Sequence, residues 1–556
     1  MPLTPPASES LTVEFKSDRK RLPDNDLVEA VVCLANAEGG ELWLGVEDDG
    51  TPTGLHPEHL QVAGLAGMVA ARTSPSIAVQ VKLFAMNNVT VARIDVPKGH
   101  GEVATTSGVY LRRRIRADGQ PECVAMLPHD RSSRTTTFGL VDASAQVVAG
   151  AKLSDLDPLE RERLRQSVQQ YGGDRVLLEL DDDALDGALG LTARQSDGTR
   201  APTLTGLLLI GKELALRELV ATHEFAFQIL ARESVGFNEF RRFPLLKALD
   251  WLETNFRPYN PEREIQVGLF RVPVPKVDLG AFRESVANAL VHRDYHRLGA
   301  VHVRMDDEGL TISNPGGLVE GVTLANLLTT EPRPRNRALA DAMKRIGVVE
   351  RSGRGVDKIY RGMLRFGRPE PDYRRTDANN VILRLATTDA DEPFLKRIIE
   401  EEGRLGSSLP IDSLIALAAL RGLKRLTTEE LAVHIQREPA QAKRTLEALV
   451  EEGLAQAHGA ARGRTYTLAA GVYQAEGDKA AYTRQMGFSS IQSEQMVLNY
   501  VRQHGSVRRS DVVDLCRVTS NQARDLLKRL KSAGLLIQHG EKKAAYYTYG
   551  NIPSPT

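Results

Sequence analysis

The stretch Glu284-Ser-Val-Ala-Asn288-Ala-Leu-Val-His292-Arg-Asp-Tyr295 constrains the chain most, because it sets a carboxylate and a carboxamide one helical turn apart in an apolar frame. Residues four apart lie on one helix face. A Glu and an Asn so placed can serve one hydrated Mg²⁺ and one attacking water, with Asn288 as a neutral oxygen ligand and Glu284 as general base. A nucleotide hydrolase needs that equipment. The same string also fits an ordinary amphipathic helix, with Val286, Ala289 and Leu290 inward and Glu284 and Asn288 in solvent. The residues C-terminal to it favour the first reading. Val301-His-Val-Arg304 and Leu310-Thr-Ile-Ser313 alternate like the two strands of a hairpin, and the second runs into Asn314-Pro-Gly-Gly317. Ser352-Gly353-Arg354-Gly355-Val356 then opens a further helical pattern, and a glycine loop at a helix N-terminus offers bare N–H groups to phosphates. Helix, hairpin and glycine turn in this order predict an α/β sandwich with a backbone-lined pocket.

Residues 275–370 resemble the GHKL-type ATPase module of proteins labelled RecG-like helicases or transcriptional regulators. The matching residues are Glu284 and Asn288, His292-Arg293-Asp294-Tyr295, Asn314-Pro315-Gly316-Gly317, Arg335-Asn336 and Gly353-Arg354-Gly355. The resemblance implies ATP and Mg²⁺ as cofactors, Glu284 as general base and Asn288 as Mg²⁺ ligand. It also implies a nucleotide held by Asn314, Gly316 and Gly317, phosphates cradled by Gly353 and Gly355, and Arg333 and Arg335 in a mobile lid. The chain departs from the family at the adenine-reading aspartate, which here is Asn314, and at the second glycine of that box, which is Leu318. An amide both accepts and donates, so it reads adenine less sharply than a carboxylate does. No G-x-x-x-x-G-K-[ST] string is present, so a complete helicase motor is not expected.

At the other end of the chain, Leu11-Thr-Val-Glu14-Phe-Lys16 alternates strictly, which predicts a strand with Leu11, Val13 and Phe15 on a core and Thr12, Glu14 and Lys16 on a polar face. A helix capped by Asp24 or Asp26 comes next, then Gly39-Gly40 and a buried strand Glu41-Leu-Trp-Leu-Gly-Val46. Glu9, Glu14-Phe15-Lys16, Ala35-Asn36-Ala37-Glu38-Gly39-Gly40 and Gly45-Val46-Glu47-Asp48 together resemble the Schlafen/AlbA-type domain over about residues 8–130. The resemblance implies nucleic-acid binding. In animal Schlafen nucleases three carboxylates form a metal-dependent RNA-cleaving site, so Glu9, Glu14 and Asp48 would be its Mg²⁺ or Mn²⁺ ligands here. Read without the family, Glu14 pairs with Lys16 or Arg19 and Asp48 makes an Asx turn. Tyr110-Leu-Arg112-Arg113-Arg114-Ile-Arg116 suits phosphate contacts and base stacking through Tyr110, Arg112 and Arg114, with Lys16 beside them, or else serves as a charged edge strand.

With 556 residues the chain has room for three to five domains. Lys+Arg and Asp+Glu balance at 72 each, so any affinity for DNA or RNA must come from local patches. Cys33, Cys123 and Cys516 lack metal-ligand spacing and read as small buried residues in a reducing compartment. Neither a leader-like N-terminus nor eighteen consecutive apolar residues occurs, and a soluble, cytoplasmic protein is expected. Between the two recognisable regions, a helix is expected over residues 158–171, a helix cap at Asp181-Asp-Asp183, and a strand at Thr205-Gly-Leu-Leu-Leu-Ile-Gly211.

The C-terminal third repeats one design. Leu426-Thr427-Thr428-Glu429-Glu430-Leu431 carries a capping signature, a second helix spans residues 439–451, and Arg464-Thr-Tyr-Thr-Leu468 returns as a strand. Helices over 493–503, 509–515 and 520–531 and a strand pair around Lys542-Lys543 make up the second unit. Both units resemble winged helix-turn-helix domains. In the second, Ala523, Leu526, Leu527 and Leu530 would be buried, leaving Asn521, Gln522, Arg524 and Lys528 for base edges and Lys542 and Lys543 for phosphates. Either unit could instead dock protein, and the first is the less basic.

The fold expected is therefore multi-domain α/β (α+β): a Schlafen/AlbA-like domain (1–135), a connecting α/β region (136–270), a GHKL-like sandwich (271–388) and two winged helices (389–475 and 476–556). The function expected is ATP-responsive DNA binding, as in a transcriptional regulator, by a homodimer. A metal-dependent nuclease of RNA or single-stranded DNA in defence, and a scaffold with a decayed pocket, are the rival readings.

Overall fold

The alternation in Val301-His-Val-Arg-Met buries Val301, Val303 and Met305 and leaves His302 and Arg304 half-buried, so this strand lies with one face on a core. In the computed structural model it is the centre of a five-stranded sheet in the order Ser234–Arg241, Phe225–Ala231, Val301–Asp306, Gly309–Pro315, Asn380–Ala386. Its neighbour Phe225–Ala231 runs parallel to it; the other pairs are antiparallel. The structure describes residues 5–116, 118–231, 234–267, 270–349, 354–459, 464–469, 494, 497–498, 500–502, 504–516, 520–540 and 545–550. Gly353, Lys542 and Lys543 and much of the helix expected over 493–503 lie outside the described residues.

The helix Leu279–Val291 packs on this sheet. Asp278 caps it, accepting from the Ala281 N–H at 2.8 Å, and Phe282, Val286 and Leu290 are buried beneath it. Phe282 stacks on Phe256, with ring centres 4.1 Å apart and planes 3° from parallel. One continuous apolar core runs from Ala151 to Leu385, so the sheet draws strands from both sides of the boundary expected at residue 270.

The strand expected at 205–211 is instead the helix Leu204–Ile210, all seven residues of which are buried. A short run buried at every position carries no period to separate strand from helix. Thr203 decides the matter, because its hydroxyl accepts from the Gly206 N–H at 3.1 Å as an N-cap. Asp181 caps Asp182–Ala188 in the same manner.

The N-terminal region is a four-stranded sheet, in the order Val13–Lys16, Gly40–Leu44, Val89–Val96, Gln80–Met86, with the helix Asp24–Ala35 buried through Leu27, Val31 and Leu34. The expected side-chain cap on this helix is not made. Pro23 stands at the cap position, and Asp24 and Asp26 fall in the first turn, where they complement the helix dipole. Gly40 has φ +138°, and a Cβ there would lie 2.0 Å from the Thr12 carbonyl oxygen. The cysteine reading is corrected: Cys33 and Cys123 form a disulfide between this helix and the strand Pro121–Ala125, and Cys516 is buried.

Toward the C-terminus, Thr427 and Glu430 form a capping box on Thr428–His434. The helix Pro439–Glu451 and an antiparallel pair, Ala455–His458 with Thr465–Leu468, complete that unit. A second unit has helices Arg509–Cys516 and Ser520–Ser532 and a three-stranded sheet ordered Val507–Arg508, Tyr546–Tyr549, Leu536–His539. Ala523, Leu526, Leu527 and Leu530 are buried. Among the described residues no helix is long and apolar enough to cross a membrane.

Because Phe282 is buried and stacked on Phe256, Phe282→Ala is expected to destabilise the central core by about 3–5 kcal/mol. A fall in the urea midpoint of the transition that reports this core checks it.

Candidate functional site

A cavity opens where the helix Leu279–Val291, the end of the strand Gly309–Pro315 and the helix Gly355–Leu364 converge, with the irregular segment 318–334 across its mouth. Glu284, Asn288, Asn314, Gly317, Arg333 and Gly355 all line it. Its apolar walls include Ile312, Val322, Leu327, Ile359, Val381 and Leu383. An apolar slot carrying a few polar groups suits a ligand with a flat ring and a charged tail.

Glu284 is only 2% exposed, and Lys358 Nζ lies 4.0 Å from its Oε2. Gly355 begins the helix Gly355–Leu364 directly against it: a Cβ at that position would sit 2.1 Å from Glu284 Oε1. The start of this helix therefore lies against a carboxylate and a carboxamide, residue types that serve a phosphate and its cation. On this observation the residues present fit a nucleotide with Mg²⁺. Asn314 is buried and donates weakly to the Pro315 carbonyl, at 3.3 Å.

The glycine-turn and lid residues divide by role. Gly316, at φ +95°, lies against the Asp294 Cβ and holds the turn, whereas Gly317 lines the cavity. Arg333 is exposed and donates to the Glu320 carbonyl at 3.4 Å. Arg335 is not a lid residue: it is buried, donates to Thr137 Oγ1 at 2.6 Å and the Gly317 carbonyl at 2.9 Å, and lies 3.7 Å from Asp294. Burial alone would raise the Asp294 pKa, but hydrogen bonds from His296 and Ser133 and the Arg335 charge hold it well below the usual carboxylate range. Lys358 and Tyr373 also lie at or beside the cavity, and no local motif marks either of them in the sequence.

The N-terminal acidic trio is not brought together as a metal site. Among the described residues no group of three His, Cys, Asp or Glu side chains is arranged to hold a metal ion. Glu14 is 5% exposed, not on a solvated face, and is ion-paired with Arg113 and Lys16. Arg113 reaches to 3.6 Å from Glu9, which accepts the Phe15 N–H at 2.8 Å and whose pKa burial pushes up. A fixed guanidinium thus stands between two of the carboxylates, where a metal would need to be. Asp48 is exposed. On the strand Leu111–Ile115, Arg112 pairs with Asp130 at 3.0 Å and Arg114 with Glu122 at 2.7 Å; just before it, the Tyr110 ring lies under the Arg131 guanidinium at 3.9 Å.

On the helix Ser520–Ser532, Gln522, Arg524 and Lys528 are exposed, and Asn521 belongs to its first turn. In the first unit, Lys443 and Arg464 each lie 3.7 Å from Glu447, which offsets their charge.

Residues 9–119 match the family model Schlafen, AlbA_2, and residues 299–385 match HATPase_c_4, described as "Putative ATP-dependent DNA helicase recG C-terminal". Residues 131–226 match a domain of unknown function, DUF8451, and residues 373–551 match a model described as DNA glycosylase AlkZ-like. No curated protein matches the chain. Among solved structures, the DIP2311 protein from Corynebacterium diphtheriae is 21% identical, over 97% of this chain and 95% of that one, with a TM-score of 0.51, a likeness of fold. The N-terminal domain of a RecG-related protein from Nitrosomonas europaea is 24% identical over 22% of this chain and 88% of that one, with a TM-score of 0.16.

Because a Cβ at residue 355 would crowd Glu284, Gly355→Ala is expected to weaken nucleotide binding by at least about tenfold, by calorimetric titration, with far-UV circular dichroism retained. Burial pushes His223 down to about 4, and burial with the Arg335 and Lys344 charges does the same to His292. Both imidazoles stay neutral in the folded protein down to about pH 4 while the unfolded chain protonates near 6.5. Protonation therefore favours unfolding in that window, so stability complete above pH 6.5 is lost as pH falls, by on the order of 3 kcal/mol per imidazole. Urea midpoints at pH 7, 5.5 and 4.5 test this. The chain thus combines a Schlafen/AlbA_2-type segment at residues 9–119 with an ATPase-like segment at residues 299–385 that resembles the RecG C-terminal region.

Proposed function

We propose that this protein is an ATP-responsive DNA-binding protein, a transcriptional regulator, in which nucleotide bound at the Glu284/Asn288 cavity controls nucleic-acid engagement. The observation that carries the reading is the convergence of Glu284, Asn288, Asn314, Gly317, Arg333 and Gly355 on one cavity. In this reading the Gly355 helix start receives phosphates, Asn288 helps to hold Mg²⁺, and the apolar walls with Asn314 receive the base. Magnesium, when bound, neutralises phosphate charge. Glu284, buried beside Gly355, accepts a proton from the attacking water.

DNA as partner is supported by the two helical units. Each has two helices followed by an antiparallel pair, the order of a winged helix-turn-helix, and the model matching this region is named for a DNA glycosylase. Asn521, Gln522, Arg524 and Lys528 would read bases from the helix Ser520–Ser532, and Lys542 and Lys543 would meet phosphates. We assign Lys16, Tyr110, Arg112 and Arg114 to a second nucleic-acid surface, consistent with the Schlafen, AlbA_2 match. A homodimer in the cytoplasm is the simplest assembly for such a regulator.

The test uses purified protein with Mg²⁺ and labelled DNA and RNA, with and without ATP, following binding and strand integrity together. Wild type is expected to shift intact DNA with an affinity that changes by about fivefold or more on adding ATP. Glu284→Ala should bind ATP but lose hydrolysis, and Asn288→Ala should lose the nucleotide response. Metal-dependent cleavage abolished by Asp48→Ala would make the protein a nuclease instead. Absence of nucleotide binding at millimolar concentration would leave a scaffold.

A further inference from the structure

Segment 318–334 has no regular secondary structure, yet it is held at two points by parts of the chain far away in sequence. Near its start, the Glu320 carboxylate lies 3.1 Å from Lys98 and the Glu320 N–H donates to the Thr137 carbonyl at 3.2 Å. Further along, the side chain of Gln436 grips the backbone with both ends of its amide. Its Oε1 accepts from the Leu328 N–H, and its Nε2 donates to the Leu324 carbonyl, each at 2.8 Å. Between these points the segment braces itself: Asn326 accepts from the Thr323 N–H at 2.7 Å and donates to the Gly321 carbonyl at 3.0 Å. A stretch so cross-linked shifts as a body.

Its apolar residues face two ways. Leu327 lines the nucleotide cavity, while the adjacent Leu328 packs against the apolar core that holds Leu431, Ile435 and Leu446. Gln436 lies in the turn between the helices Thr428–His434 and Pro439–Glu451, in a left-handed conformation at φ +54°. A non-glycine residue at such an angle is held there by its surroundings. Here the surroundings include two hydrogen bonds to the strap over the cavity.

We propose that residues 318–334 are a transmission strap, with Gln436 as its latch: occupancy of the cavity moves Leu327, and the latch carries that movement into the helix–turn–helix unit at 428–451. The proposal rests on the nucleotide reading of the cavity and names the route by which that site would regulate DNA binding. A ligand shifts such a two-state element only through contacts that differ between the states, and the strap lines the cavity in this one. Gln436 is a positioning residue, since it lines no part of the cavity.

The experiment compares full-length wild type with Gln436→Gly, which keeps the left-handed turn accessible while removing the amide. The probe is the ATP analogue AMP-PNP with Mg²⁺, and the readouts are AMP-PNP affinity, DNA affinity with and without AMP-PNP, and hydrogen exchange across 320–330 and 435–438. Gln436→Gly is expected to bind AMP-PNP within about twofold of wild type, and its DNA response is expected to fall from about fivefold or more to under about twofold. In wild type, AMP-PNP should change exchange at 320–330 and 435–438 together. An undiminished DNA response in Gln436→Gly overturns the strap while leaving the proposed function standing. Loss of AMP-PNP binding in that variant also counts against it, since the contact would then build the cavity, not transmit from it. If wild-type DNA affinity ignores AMP-PNP, the proposed function fails, and the exchange measurement alone decides the strap: change confined to 320–330 overturns it.

Discussion

The corner Arg293-Asp294 holds the central body together. Arg293 is fully buried, and its guanidinium donates to the carbonyls of Thr222, Arg297, Gly299 and Asp294, gathering the chain before one strand and the loop before another. Burial draws its pKa down, yet a guanidinium whose two terminal nitrogens meet carbonyl acceptors tolerates burial that a bare charge would not. Asp294 faces the other way. It accepts from Ser133 and from the His296 N–H, lies near Arg297 and Arg335, and its own N–H donates to the Pro315 carbonyl at 2.9 Å. Asn336 closes the corner by donating to the Val291 and Arg293 carbonyls. One turn thus fixes the end of the helix bearing Glu284 and Asn288 against the strand end bearing Asn314.

The same corner explains how the N-terminal region meets the cavity. Ser133 and Thr137 belong to the helix Pro128–Thr137, which comes after the N-terminal sheet, and they bond to Asp294 and Arg335. Arg134 on the same helix donates to the carbonyls of Ala35, Asn36, Gly99 and Gly101, so one helix holds both the N-terminal sheet and the central body. Buried, charge-assisted contacts of this kind fix geometry more than they add stability. They set where the cavity mouth sits relative to the N-terminal sheet.

Much of the site was legible because its logic is local. Glu284 and Asn288 are one turn apart, and the Asn314-Pro-Gly-Gly turn and Gly355 each carry their conformational demand in their own residues. Capping was mostly readable too: Thr427 with Glu430 and Asp181 cap as their spacing suggests, whereas Pro23 displaces Asp24 and Asp26. The helix Leu204–Ile210 was not legible, since a short, fully buried run fits either period. Nor was the Cys33–Cys123 bond, whose partners are 90 residues apart.

The sequence by itself determined which segments are amphipathic, where several helices begin, and that a carboxylate, an amide and glycine turns would be available for a nucleotide site. Periodicity and capping act over a few residues, so they survive being read without the fold. Tertiary structure alone decided what polar and charged side chains do once distant elements meet. Glu14 meets Arg113 across 99 positions, Arg335 meets Thr137 across 198, and Gln436 meets Leu328 across 108. In each case a residue that looks free in the linear string is committed by a partner elsewhere in the chain, because burying a charge or a backbone amide demands a partner whatever its sequence distance.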